Sequence, residues 1–249
     1  YAFSYCSGIT SLNLSKNLAR IESYVFSNCN GIVRLNIPET ITYIGSYAFS
    51  SCSGIRGILT IPDSVKTIDR FAFSHCSGFN SLKSYYNIKQ LGKGVTTINE
   101  NVFEYCSSLA TLNLPETVTS IGSYAFSYCS GIRGELMIPN SVTKIDNYAF
   151  SHCSGFNSVN LSKNMTEIND YVFEYCTGLL NLTLPENIEL IRSYAFTYCS
   201  GIKGSLTIPD TITNIESYAF SFCTGITNIN FGRGMKNIDS FVFSNCEGL

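Results

Sequence analysis

The sequence predicts a mostly β solenoid, with a parallel sheet along one face and return segments that are short and extended, 3₁₀ or briefly helical. Three observations carry this expectation. All eleven cysteines fall in one register, from Cys6 to Cys246, with spacings of 23 or 24 residues apart from one of 30. Between them runs one phrase, C-x-x-[LIF]-x-x-[LIV]-x-[LI]-P-x-x-[VI]-x-x-I-x-x-Y-[AV]-F-x-x-C, clearest from Cys106 to Cys129. No stretch keeps a helical period for the ~10 residues that an independent helix wants.

Each part of the unit has a local reading. Leu109, Leu112 and Leu114 spell L-x-x-L-x-L, whose last part alternates as a strand with one buried face does. A proline or glycine then stops the strand. A second short apolar pair follows, such as Val118 and Ile121, and then a corner, Tyr124-Ala125-Phe126. A unit of this size cannot bury its own apolar side, but stacked units can. Parallel coils then repeat at ~4.8 Å. Phe26, Phe49, Phe73, Phe103, Phe126, Phe150, Phe173, Phe196, Phe220 and Phe243 line up as one ladder, beside an alanine or valine in a crowded position. Removing one ring is expected to cost ~3–5 kcal/mol.

A longer period overlies the short one. Ser46–Pro62, Ser123–Pro139 and Ser193–Pro209 are near copies, each with one extra residue beside a second glycine (Gly57, Gly134, Gly204), which predicts a β bulge. Three units thus form a block of about 70 residues that was duplicated. Seven residues are inserted between 79 and 91, and they predict a protruding loop. The chain reads as a single domain, 1–249, of about ten coils. It starts and stops inside a unit, which predicts a fragment of a longer chain, or ends that pair between molecules.

Composition excludes several function classes. The net charge of −2 lacks the basic footprint of a nucleic-acid binder. No apolar run approaches ~18 residues. Cysteines without a C-x-x-C pair read as small buried hydrophobes rather than a metal or redox array. His75 and His152 each precede a cysteine, yet the same slot holds Tyr, Asn, Ser and Phe elsewhere, which indicates a half-surface position rather than a Cys-His dyad. The acids after proline, such as Glu116 and Asp210, read as turn chemistry. No non-repeated cluster of Ser, His, Asp or Glu remains, so no enzyme, catalytic residue, cofactor or metal is expected.

The candidates are for binding. Outward strand positions are mostly Asn, Thr and Ser, an uncharged face suited either to a ligand or to ladders of side-chain bonds. Arg56, Arg133 and Lys203 start the bulged strands, and Arg34 lies on the same face. Lys83, Tyr85, Tyr86 and Lys89 belong to the insertion, the only non-repeated chemistry. The tyrosine row, broken only by Asn101, reads as lateral stacking that covers the core. Sequons stand at Asn13, Asn160, Asn164 and Asn181, and glycans on the strand face would block it.

The run L-x-x-L-x-[LI]-P-x-x-[VI]-x-x-I-x-x-Y-A-F-x-x-C resembles the leucine-rich repeats of the BspA-like (Treponema pallidum-type) class, over the whole chain. Resemblance implies a right-handed leucine-rich-repeat solenoid in a secreted or cell-surface protein of a bacterium or parasitic protist. It implies adhesion to protein or glycan partners on host or other cells, with no catalytic site in the repeats. The alternative is a scaffold that assembles as a homo-oligomer by stacking uncapped ends. Leu91-Gly92-Lys93-Gly94 and Phe231-Gly232-Arg233-Gly234 depart from the usual L-P-[DE]-[ST], so their turns are expected to differ.

Overall fold

The computed structural model describes residues 1–78 and 92–249. Its coils stack in parallel, each joined to the next through strand pairs and turns, and no helix occurs among the described residues. None of them therefore forms a helix long and apolar enough to cross a membrane.

One face carries the leucine strands. Ser11–Asn13 pairs with Arg34–Asn36, placing Leu12 on Leu35. Phe156–Asn160 lies between Gly134–Met137 and Asn181–Leu182, and Gly204–Thr207 pairs with Ile226–Asn230. A second face is built from two-residue strands such as Tyr43–Ile44, Ser120–Ile121 and Leu190–Ile191, each setting isoleucine on isoleucine. Between the faces runs the phenylalanine ladder, with stacked rings 5.2–5.8 Å apart from Phe3 to Phe243. Ala48, Ala72, Ala125 and their counterparts are fully buried, so the small neighbour of each ring is a packing requirement.

The corner differs from the 3₁₀ or helical return that the sequence suggested. It is a run of turns. The N–H groups of Tyr24, Phe26 and Asn28 donate to Ser46, Ala48 and Ser50 of the next coil, while those of Ser27 and Cys29 close turns onto Tyr24 and Phe26. A helix needs every N–H to point back along its own chain. Here alternate N–H groups are committed to a neighbouring coil. This alternation places Tyr24 and Asn28 at φ 62° and 60°, and the same two corner positions are left-handed in coil after coil. Stacking bonds hold non-glycine residues where an isolated chain would seldom put them.

Two of the three expected bulges appear among the described residues, but with the extra residue, Asn157 or Thr227, on the strand that pairs with the glycine strand rather than on the glycine strand itself. Pairing slips by one residue between Gly134/Glu135 and Phe156/Ser158, and again between Gly204/Ser205 and Ile226/Asn228. Gly57, Gly134 and Gly204 have φ between 75° and 83°, with open space around each, so backbone conformation alone selects glycine. The turns at Gly92 and Gly232 do not differ as expected: the Val95 and Met235 N–H groups donate to the Gly92 and Gly232 carbonyls just as those of Val65 and Ile212 donate to Pro62 and Pro209. A side chain on Gly92 or Gly232 would strike the carbonyl of Pro62 or Pro209. This close approach lets the Lys93 and Arg233 N–H groups donate to the Asp63 and Asp210 carboxylates at 2.8 and 2.7 Å. The acid after proline thus caps the turn of the following coil.

Candidate strand-face recognition site

The cysteine row is structural. Every cysteine is free, and all but Cys6 are buried. Each of the ten from Cys29 to Cys246 donates its thiol proton to a phenylalanine carbonyl of the preceding coil, as from Cys52 to Phe26 and from Cys176 to Phe150, at 3.0 and 3.2 Å. Burial pushes the thiols of Cys52, Cys106 and Cys153 up to about 12, far from a nucleophile's range. Among the described residues no group of three His, Cys, Asp or Glu side chains is placed to hold a metal ion.

The histidines sit in a second aromatic ladder that sequence reading did not assemble. His75, Tyr105, Tyr128, His152, Tyr175, Tyr198 and Phe222 stack in order at 4.2–4.6 Å. Ser151 Oγ lies 2.8 Å from His152 Nδ1 and donates to Glu174 Oε2 at 3.2 Å. The hydroxyl stands between acid and imidazole, whereas a hydrolytic triad puts the imidazole between acid and hydroxyl. Ser151 is also only 2% exposed, so it does not meet a substrate. Burial lowers the His152 pKa and raises that of Glu174. His75 and Glu104 hold the matching positions of the earlier block, but there the Glu104 carboxylate accepts from Asn101 Nδ2 at 2.9 Å, and His75 meets Glu104 through the main-chain bond between coils that other corners also make. In the third block Phe222 replaces histidine, and Ser244 replaces the acid. That joint replacement was the signal in the sequence.

The tyrosine row stacks as read, at 4.4–5.0 Å on either side of Asn101. Its ring faces cover one another, so mainly edges and hydroxyls point outward.

The leucine-strand face holds a groove of about 760 Å³. Val159, Leu161 and Leu184 lie buried beneath it, and Glu135, Ser158, Asn160, Lys163, Asn181, Thr183 and Glu186 line it with polar groups. Adjacent strands position these residues: inward Leu136 and Val159 force Glu135 and Asn160 outward. Arg133 is exposed two residues before Glu135, and Lys203 is exposed at the start of the coil beyond Thr183, with its N–H on the Leu180 carbonyl. Arg34 and Arg56 are exposed on coils far from the groove. Among the sequons, Asn160 and Asn181 line the groove, Asn13 is exposed in its strand, and Asn164 donates from Nδ2 to the Asn140 carbonyl at 2.7 Å. Lys83, Tyr85, Tyr86 and Lys89 lie outside the described residues.

Comparison with known proteins agrees with this architecture. No curated protein matches the chain. Among solved structures, a leucine-rich repeat protein from Bacteroides ovatus is similar over 100% of this chain and 73% of its own, with 23% identity and a TM-score of 0.74. The T. pallidum leucine rich repeat protein shares 27% identity over 74% of this chain and 82% of its own, with a TM-score of 0.61. The pneumococcal vaccine antigen PcpA shares the fold at 18% identity and a TM-score of 0.53, over 88% of this chain and 55% of its own. The model of the BspA type leucine rich repeat region matches in six copies, over residues 1–95, 87–203 and 202–249. The stacked coils, the phenylalanine and cysteine rows and this match agree: the chain belongs to the BspA-type leucine-rich repeat family.

Proposed function

We propose that this chain is a single, non-enzymatic recognition domain of a cell-surface or secreted protein. It binds protein or glycan partners on host or other cells through its leucine-strand face. The observation that carries this reading is the polar groove on that face, with exposed Arg133 in the coil of Glu135 and exposed Lys203 in the coil after that of Thr183. A rigid stack of coils holds both without loop ordering, which keeps the entropic cost of binding low. Family membership supports a binding role, since repeat scaffolds offer extended surfaces. The insertion with Lys83, Tyr85, Tyr86 and Lys89 is a second contact site in this reading, and Arg34 and Arg56 extend the cationic track.

The test is a binding screen against matrix proteins and whole cells. Arg56→Glu, Arg133→Glu and Lys203→Glu combined should weaken binding by about tenfold or more. Deletion of residues 80–90 reports on the insertion separately. Unchanged binding of every partner by the triple variant overturns the proposed face.

A further inference from the structure

The duplicated blocks treat the same strand-face positions in opposite ways. In the C-terminal copy, Asn228 Nδ2 donates to Ser205 Oγ at 3.1 Å and to Asn230 Oδ1 at 3.0 Å, and Asn230 Nδ2 donates to Ser205 Oγ at 2.9 Å. The face there is satisfied by itself. The matching positions of the preceding block are Glu135, Ser158 and Asn160. A carboxylate replaces the central hydroxyl, and the mutual set does not form. Glu135, Asn160, Asn181 and Thr183 all line the groove, and among the described residues none has a side-chain hydrogen bond to protein.

The geometry points to a binding site for a neutral oligosaccharide in this groove, lying along the stacking axis across the three coils that contribute Glu135, Asn160 and Asn181. The inference rests on the strand face being the recognition surface. Its ligand class follows from the lining. Amides and a hydroxyl both donate and accept, and a carboxylate accepts twice, which suits sugar hydroxyls that also do both. Three coils span roughly 10–14 Å at the strand-pair spacing, enough for a short oligosaccharide. The floor of Val159, Leu161 and Leu184 is apolar but nearly covered, so recognition rests on the polar lining. Lys163 is the one cation in the lining, against Glu135 and Glu186, so the interior does not select an acidic polymer. The lining has no aromatic or arginine anchor of the kind on which protein interfaces depend.

The experiment uses the whole chain made in a host that does not N-glycosylate, since Asn160 and Asn181 are sequons. A panel of neutral cello-, malto- and xylo-oligosaccharides is compared with heparin and pectin fragments, and the best binder is titrated by calorimetry. A neutral oligosaccharide is expected to bind. The double variant Asn160→Ala/Asn181→Ala should weaken it at least about tenfold, with an unchanged unfolding midpoint because both residues are exposed. Asn228→Ala, on the self-satisfied face, should leave binding intact. Three results overturn the inference: no neutral oligosaccharide binds, the double variant binds like the parent, or only acidic fragments bind and require Arg133 and Lys203. If charge reversal abolishes binding to cells while no sugar binds, the recognition reading stands and the oligosaccharide site falls.

Discussion

The thiol of Cys153 donates to the carbonyl oxygen of Phe126 in the preceding coil at 3.0 Å. The same oxygen also accepts the N–H of Cys129, so one carbonyl ties a turn within its coil and a side chain from the next. A cysteine fits because the corner takes a small apolar group with a weak donor, and no larger side chain.

Thiol chemistry should follow burial. In the native protein Cys6 should react with a disulfide reagent at once, and the other ten only on unfolding. Quantitative thiol titration with and without denaturant checks this, and fewer than eleven thiols after unfolding without reductant would mean disulfides are present. Cys153→Ala should cost about 1–2 kcal/mol by denaturant unfolding, from the lost bond and methyl-sized space.

Two glycines that look alike in sequence should behave differently. A methyl on Gly155 would meet the carbonyls of Ser130 and Ile132, whereas one on Gly8 meets nothing within 4 Å. Gly155→Ala is expected to destabilise by roughly 2 kcal/mol or more, and Gly8→Ala to be neutral or slightly stabilising. Paired chemical denaturation of the two variants is the measurement.

Left-handed corner positions predict a gain from glycine only where no ring is lost. Ser51 has φ 59° and belongs to no ladder, so Ser51→Gly should stabilise by roughly 0.5–1 kcal/mol after the entropic penalty of glycine. Tyr128 has φ 60° but stacks on Tyr105 and His152, so Tyr128→Gly should destabilise. Thermal midpoints of opposite sign would establish the contrast.

His152 makes part of the stability pH-dependent. Burial lowers its pKa below the ordinary 6.5, so the folded state binds the proton less readily than the unfolded chain. That contribution is present above about 6.5 and is lost as pH falls through the depressed value. Glu174, whose pKa burial raises, acts in the opposite sense: its contribution is present at low pH and lost as pH rises through the raised value. His152→Phe, which copies the residue at Phe222, should remove the acid-side loss. Glu174→Gln should raise stability at neutral pH. Unfolding midpoints measured from pH 8 to pH 4 test both, and parallel curves for parent and His152→Phe would show that the imidazole has no such role.

Much of this architecture was legible in one dimension. The cysteine ruler located the phenylalanine ladder, and the extra residue beside Gly134 and Gly204 pointed to the strand pairs that slip register, though the bulged residues, Asn157 and Thr227, lie on the partner strands. The corner was not legible, because Tyr-Ala-Phe says nothing of where its N–H groups point. The His75–Phe222 ladder was missed because a slot that also holds Asn28, Ser51 and Asn245 looked like tolerance, although from His75 to Phe222 every occupant is a flat ring that stacks. The caps from Asp63 and Asp210 to the next coil join residues 30 and 23 apart in the chain, a relationship that no local pattern encodes.

The sequence by itself determined the period of the coil, its buried rows and the duplication of its blocks, because a stack with one register repeats every inward choice at the same interval. The tertiary structure alone decided hydrogen-bond direction. It sends alternate corner N–H groups to the neighbouring coil in place of a helix. It also closes the polar face at Ser205, Asn228 and Asn230 and leaves it open at Glu135, Asn160 and Asn181. The physical reason is that these bonds form between coils, so their partners are set by stacking geometry rather than by residues adjacent in the chain.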